Sequence, residues 1–216
     1  SLCFAGSTTQ NVSCLNDHYF SCYTVEDTSA TGNSPINAMT KLSFVGSNLD
    51  LNWGQLIGNN NEIYVSGGGK VRESIISNIS VGGTFRVYGG VEMNGNIYVK
   101  DTLVGRENAN TAISIDGNLT NNGVIINTSY SLILSISGDI VNNGEWTTDR
   151  VDLSGTSKQY VTQASGKQFE AGQFINIENT SPIEAVTDLN FVDTWLDMGG
   201  GEMIFPAKKG LTLRLS

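Results

Sequence analysis

From Leu42 onward, apolar and polar residues alternate in short runs. Leu42-Ser43-Phe44-Val45, Glu62-Ile63-Tyr64-Val65, Thr84-Phe85-Arg86-Val87, Asn96-Ile97-Tyr98-Val99 and Ala112-Ile113-Ser114-Ile115 all place every second side chain on one face. Leu132-Ile133-Leu134-Ser135-Ile136, Arg150-Val151-Asp152-Leu153, Phe174-Ile175-Asn176-Ile177 and Gly210-Leu211-Thr212-Leu213 continue the series. Gly, Asn, Asp or Ser bound the runs. A period of two predicts strands with one buried and one wet face, and no segment has the 3.6-residue period of an amphipathic helix.

Two of these strands head near copies of one longer pattern. Ala112-Ile113-Ser114-Ile115-Asp116-Gly117-Asn118-Leu119-Thr120-Asn121-Asn122-Gly123 is matched by Leu134-Ser135-Ile136-Ser137-Gly138-Asp139-Ile140-Val141-Asn142-Asn143-Gly144. Val87-Tyr88-Gly89-Gly90-Val91-Glu92-Met93-Asn94-Gly95 carries the same skeleton upstream. Aligning Gly89, Gly117 and Gly138 gives offsets of 28 and 21 residues. Units of this size cannot bury an apolar face alone, so they stack into one continuous core. The expected fold is all-β, a right-handed parallel β-helix (β-solenoid) of about seven to nine rungs and roughly 40 Å. Asn121-Asn122-Gly123 and Asn142-Asn143-Gly144 are expected to stack at corners, amide on amide. The competing architecture is a β-sandwich, because Asn-Gly pairs also favour hairpins.

Residues 1–40 differ. They hold Cys3, Cys14 and Cys22, the sole histidine His18 and the cluster Tyr19-Phe20-Cys22-Tyr23, and lack the Gly-Asn skeleton. The expected organisation is an atypical N-terminal cap over 1–40 and solenoid repeats over 41–216, since a solenoid needs a distinct end unit. Clustered cysteines fit a local disulfide, with Cys14–Cys22 the expected pair and Cys3 left over. A zinc site is not expected here, with His18 the only histidine.

Composition sharpens the class. Gly is high at 25, Pro is scarce at 3, and only 15% of residues are charged, which fits an extracellular all-β chain without a linker. The net charge of −9 excludes the basic stripe that nucleic acid requires and disfavours anionic lipid. Acidic surfaces collect divalent cations weakly, so weak Ca²⁺ binding is compatible. No run reaches membrane-span length. The chain begins at Ser1 without Met, as a chain whose leader has been removed would. Lys208-Lys209 reads as a solvated pair.

The stretch from Ile136 to Met198 carries a more specific order of motifs. Gly138-Asp139-Ile140-Val141-Asn142-Asn143-Gly144 is followed by Gly155-Thr156-Ser157-Lys158-Gln159-Tyr160-Val161, then Phe174-Ile175-Asn176-Ile177-Glu178-Asn179 and Asp188-Leu189-Asn190-Phe191-Val192-Asp193-Thr194-Trp195-Leu196-Asp197-Met198-Gly199. This resembles the repeat region of large secreted surface proteins of Bacteroidetes exported by the type IX system. The resemblance implies an extracellular or cell-surface location and a structural, adhesive or glycan-contacting role, without catalytic residues. Partners would be other surface proteins, copies of the chain itself or extracellular glycans.

Candidate chemistry is sparse. His18 beside Cys14 or Cys22 lacks an orienting third group. Gly67-Gly68-Gly69-Lys70 lacks the phosphate-loop spacing, and it reads as a corner, as does Gly199-Gly200-Gly201. Asp149 and Asp152, three apart, are expected on opposite strand faces. Asp193 and Asp197 share parity with Trp195 between them, a candidate sugar-stacking platform. Trp53 and Trp146 read as core residues. Asn-X-Ser/Thr triplets start at Asn11, Asn78, Asn118, Asn127 and Asn179. Regular Thr-X-Thr arrays, which an ice-binding solenoid needs, are missing. The expected function is a non-enzymatic structural or adhesive solenoid, with a glycan-binding or glycan-cleaving β-helix as the alternative and an ice-binding solenoid as a third reading.

Overall fold

A computed structural model describes residues 1–15, 18–28, 35–51, 54–58, 61–66, 70–72, 74–77, 79–87, 91–105, 107–177, 181–199 and 201–214. Trp53, Asn78, Asn179, Gly67 to Gly69 and Gly200 lie outside them. Strands occupy the described chain and no α-helix occurs among the described residues. Every strand pairing is parallel, so the sandwich, with its antiparallel hairpins, is not the architecture.

The chain winds as a three-sided solenoid of about nine turns. The first face runs from Leu2–Phe4 through Thr24–Asp27, Thr84–Val87 and Val124–Ile126 to Leu211–Arg214. The second includes Gln10–Val12, Val91–Asn94, Thr111–Asp116 and Leu132–Ile136, and ends at Trp195–Asp197. The third is a separate nine-stranded sheet from Leu42–Val45 to Met203–Ile204. Glu145–Leu153 and Phe169–Asn176 each turn a corner and serve both the first and second faces. Alternate residues point into a single core. Val91-Ile113-Leu134 and Ile97-Leu119-Ile140 are typical inward columns, all buried.

The core thickens toward the C-terminal half. Trp146 packs edge-on against Phe169 at 5.2 Å, and Phe169 stacks on Phe191 at 5.4 Å. The Trp146 indole N–H finds a buried acceptor in Thr148 Oγ1 at 3.1 Å, which lets an aromatic with a polar edge sit in a dry interior. Trp146 is therefore the core residue its setting in the sequence suggested.

Buried amides set which residues meet. Asn121, Asn142 and Gln163 occupy one column at the corner between the third and first faces, all inside. Asn121 Nδ2 donates to Asn142 Oδ1 at 3.0 Å and to the Glu145 carbonyl at 2.8 Å, while its Oδ1 accepts from Gly123 N–H. Asn142 repeats the arrangement with Gln168 and Gly144. Gln163 Oε1 accepts from Asn190 N–H at 2.7 Å. The Gly-Thr-x-x-Gln stretch has the same logic. Buried Gln159 accepts from Gly155 N–H and donates to the carbonyls of Ile136 and Gly138 one turn below. A second, outer ladder joins Asn118 Nδ2 to Asn96 Oδ1 and Asn143 Nδ2 to Asn122 Oδ1.

These columns correct one expectation. In the repeat unit beginning at Val87, Gly89 lies outside the described residues, and the glycine that meets Gly117 is Gly95. Asn94 pairs with Asp116, and Gly117 stacks on Gly95, an offset of 22 residues rather than 28. A Cβ at Gly117 (φ 149°) would fall onto the Gly95 carbonyl oxygen, and one at Gly138 would meet Gly117 in the same way. The glycine column is therefore a close backbone approach at a corner.

The segment 1–40 carries the same ladders as the rest. Leu2–Phe4 pairs with Thr24–Asp27, which pairs with Asn48–Asp50, so stacking passes through residue 40 without a break. What sets the segment apart is its third face, where a single bridge joins Phe20 to Phe44.

Replacing Asn142 by Ala should cost about 2–3 kcal/mol, because buried donors and acceptors in two adjacent turns lose their partners. Asn143→Ala, in the wet outer ladder, should cost under ~1 kcal/mol. Urea denaturation of both variants checks this, and equal costs would contradict the role given to the buried column.

Candidate functional site

Trp195 stands on the outer side of the second face, 62% exposed, with Leu196 turned toward the core between it and Asp197. Trp195 and Asp197 thus share a face as their parity requires. Asp193 does not join them on that strand. It sits at the corner between Leu189–Val192 and Trp195–Asp197 with φ 49°, where period-two alternation is interrupted. Asp197 Oδ1 accepts from Gly199 N–H at 2.8 Å, so this carboxylate closes the following turn. The flat surface around Trp195 offers an aromatic plane and one committed carboxylate.

Asp149 and Asp152 also separate. Asp149 is exposed at the bend of Glu145–Leu153, whereas Asp152 lies on the second face, nearly covered, and is bound by the Arg150 guanidinium two residues away. Among the described residues no three His, Cys, Asp or Glu side chains gather in a way that could hold a metal ion.

A concavity lies elsewhere, where the third face meets the first in the last turns. A groove of about 370 Å³ is lined by Lys167, Lys209 and Arg214 together with Thr187, Asn190 and Thr212. Its floor is built by the buried Gln163 column: Gln163 N–H donates to Thr187 Oγ1 at 2.8 Å. Asp188 is spent on the wall, accepting from Gly210 N–H at 2.8 Å. Three of the chain's 12 cationic residues meet here on a protein of net charge −9. Such a groove can neutralise carboxylate or sulfate groups. No linear spacing joins positions 167, 209 and 214. They converge through the turn length, which sets Val192 beside Arg214 and Leu189 beside Leu211.

At the opposite end, a depression of about 430 Å³ is lined by Leu15, His18, Tyr19, Lys41, Ser43 and Tyr64. Lys41 and Tyr64 in its wall belong to an ion cluster that spans four turns. Lys41 Nζ and Lys100 Nζ hold the two oxygens of Glu62 at 2.6 and 2.5 Å, and Lys41 lies 4.9 Å over the Tyr64 ring. Partial burial opposes ionisation of Glu62, but hydrogen bonds from Lys100, Lys41 and Ser80 outweigh it and hold its pKa down at about 2.

The three cysteines are free thiols. Cys14 lies beside Thr40, whose Oγ1 accepts from Cys14 N–H and donates to Cys14 O, both at 2.9 Å. Cys22 lies beside Ser47, with Sγ 3.8 Å from Oγ. Thr40 and Ser47 flank the strand Leu42–Val45, which spans about 13 Å, whereas a disulfide needs Cα atoms within about 7 Å. The expected Cys14–Cys22 bridge is therefore not formed: residues close in sequence are set at opposite corners of one turn. Both pack against the core as small apolar groups, and Cys3 is exposed, 3.8 Å from a Glu26 carboxylate oxygen.

Two outcomes follow. The depressed Glu62 pKa adds stability that is complete above pH ~4.5 and is lost as pH falls toward 2, about 1–2 kcal/mol for a pair partly in water. Denaturation midpoints of wild type and Glu62→Gln should therefore differ at pH 6 and converge near pH 2. Alkylation without reductant should label all three thiols, Cys3 fastest, and a Cys14–Cys22 peptide in the mass spectrum would contradict this geometry. Comparison with known proteins finds no match: no family model, no curated protein and no solved structure corresponds to this chain.

Proposed function

We propose that the chain is a non-enzymatic structural module of an extracellular or cell-surface protein, acting as a rigid rod that separates or joins what is attached along it. The observation that supports this reading is where the polar chemistry is invested. Asn121, Asn142, Gln159 and Gln163, the principal buried amides, all bind neighbouring turns to each other. Asp188, Asp197 and Asp139 are likewise engaged by backbone N–H groups at corners. Side chains so engaged hold a shape and are poorly placed to shuttle protons. The outer columns mix residue types, as in Tyr98, Thr120, Val141 and Thr162, which does not favour the flat threonine array of an ice-binding surface.

A second reading is a glycan-binding solenoid. The groove lined by Lys167, Lys209 and Arg214 supports it, with acidic polysaccharide as the matching ligand class. The exposed Trp195 adds a stacking surface on the adjoining face. The order of Gly/Asn and Gly-Thr-x-x-Gln motifs is compatible with a surface protein of the type IX-exported kind.

Incubation with a panel of neutral and acidic polysaccharides separates the readings. The rod reading expects neither new reducing ends nor unsaturated products. Retention of an acidic polysaccharide without turnover would favour the glycan-binding reading, and product release would overturn the non-enzymatic one.

A further inference from the structure

The chain contains three Asn-Gly pairs, Asn94-Gly95, Asn122-Gly123 and Asn143-Gly144. Such a pair is chemically fragile. Glycine has no Cβ to keep its backbone nitrogen away from the preceding side chain, so that nitrogen can close on the asparagine amide carbon. In the second and third pairs the glycine is required. A Cβ at Gly123 would fall onto the Asp101 carbonyl oxygen, and one at Gly144 onto the Gly123 carbonyl oxygen. The asparagine has its own task, since Asn143 Nδ2 donates to Asn122 Oδ1 at 2.9 Å in the outer ladder. The fold therefore sets a reactive pair at the same corner of successive turns.

The reaction is a deamidation. Hydroxide from water removes the Gly144 amide proton. The nitrogen forms a bond to Asn143 Cγ, the Cγ–Nδ2 bond breaks, and the side-chain nitrogen leaves as ammonia. Water then opens the cyclic imide at either carbonyl, giving an aspartate or a β-linked isoaspartate. No oxidant or reductant is needed. The amide proton must be open to base, and the peptide must be free to turn its nitrogen toward Cγ.

The structure opposes both. Gly144 N–H donates to buried Asn142 Oδ1 at 3.2 Å, and Gly123 N–H to buried Asn121 Oδ1 at 3.1 Å. The flanking peptides are pinned to the turn below. Asn143 N–H donates to the Asn121 carbonyl at 2.8 Å and Glu145 N–H to the Gly123 carbonyl at 2.9 Å. Asn122 N–H and Val124 N–H reach the carbonyls of Val99 and Asp101 at 2.8 and 2.6 Å. The Asn142 side chain is itself fixed, accepting from Asn121 Nδ2 and donating to the Gln168 carbonyl.

We propose that the buried asparagine column shields these two pairs from spontaneous deamidation, and that Asn122 and Asn143 are modification sites that react where the column opens. The residue just before each pair carries the shield, in an Asx turn that gives the glycine N–H a side-chain oxygen. Asn94-Gly95 is held differently. Gly95 N–H donates to the Asp116 backbone carbonyl of the next turn at 2.8 Å and owes nothing to the column. An isoaspartate at Asn143 would lengthen the backbone at a corner where glycine meets carbonyl, so the modified turn would not return to its register.

Peptide mapping by mass spectrometry, after the full chain is held in warm, mildly alkaline buffer, reads conversion at each pair. In the folded wild type, conversion at Asn122 and Asn143 should be at least about tenfold slower than in the chain unfolded in guanidinium chloride, because it waits on local opening. Asn142→Ala removes the acceptor for Gly144 N–H and should speed conversion at Asn143 about tenfold in the folded protein, with Asn94 unchanged. Asn142→Asp keeps an oxygen facing Gly144 but loses the donor to Gln168. It should unfold at lower denaturant than wild type and still convert Asn143 at close to the wild-type rate. A folded wild type that converts as fast as the unfolded chain overturns the proposal. So does an Ala variant with Asn143 no faster, or with Asn94 accelerated equally, and so does equal acceleration in the Ala and Asp variants, since stability alone would then set the rate. Should the variants not fold, hydrogen exchange of the wild type decides. Gly123 and Gly144 N–H should exchange as slowly as those of buried Leu119 and Ile140, and exchange at the rate of a free amide overturns the proposal.

Discussion

Everything in this molecule depends on the parallel ladder between one turn and the next. No turn has a core of its own, so a turn is stable only in contact with its neighbours and in one register. Backbone hydrogen bonds alone would tolerate a slip, since a two-residue shift keeps the apolar face inward. The buried amides remove that freedom. Asn121 can satisfy its donors only with Asn142 one turn above and Glu145 beyond the corner, and Gln159 only with Ile136 and Gly138 one turn below. A slip would leave these groups unpaired in a dry interior, at a cost of about 1–3 kcal/mol each. Polar residues in the core therefore specify register, while apolar residues supply most of the driving force.

The same division explains which parts of the fold were legible in the chain. Alternation revealed the strands, and the 21-residue copy holding Asn121 and Asn142 revealed the stacking, because register-setting residues recur where register is enforced. The upstream unit misled because Val87-Tyr88-Gly89-Gly90 reproduces the spacing, whereas the glycine that Gly117 approaches is Gly95. Turn length is not constant. Ile63 pairs with Ile79, 16 residues on, and Ile97 with Leu119, 22 on. Corners absorb such differences at little cost because they face solvent, so a fixed period fails where corners vary.

Site residues were less legible for the same reason. Parity relates side chains along one strand, and the Asp193 corner lies outside that rule. Cys14 and Cys22 look like neighbours along the chain, yet the strand bridged at Phe20 holds them apart. Lys167, Lys209 and Arg214 look unrelated along the chain, yet two passes of the backbone, two turns apart, bring them around one groove. In a solenoid, proximity is decided by the turn length summed over turns, and an error of two residues at one corner displaces every later assignment.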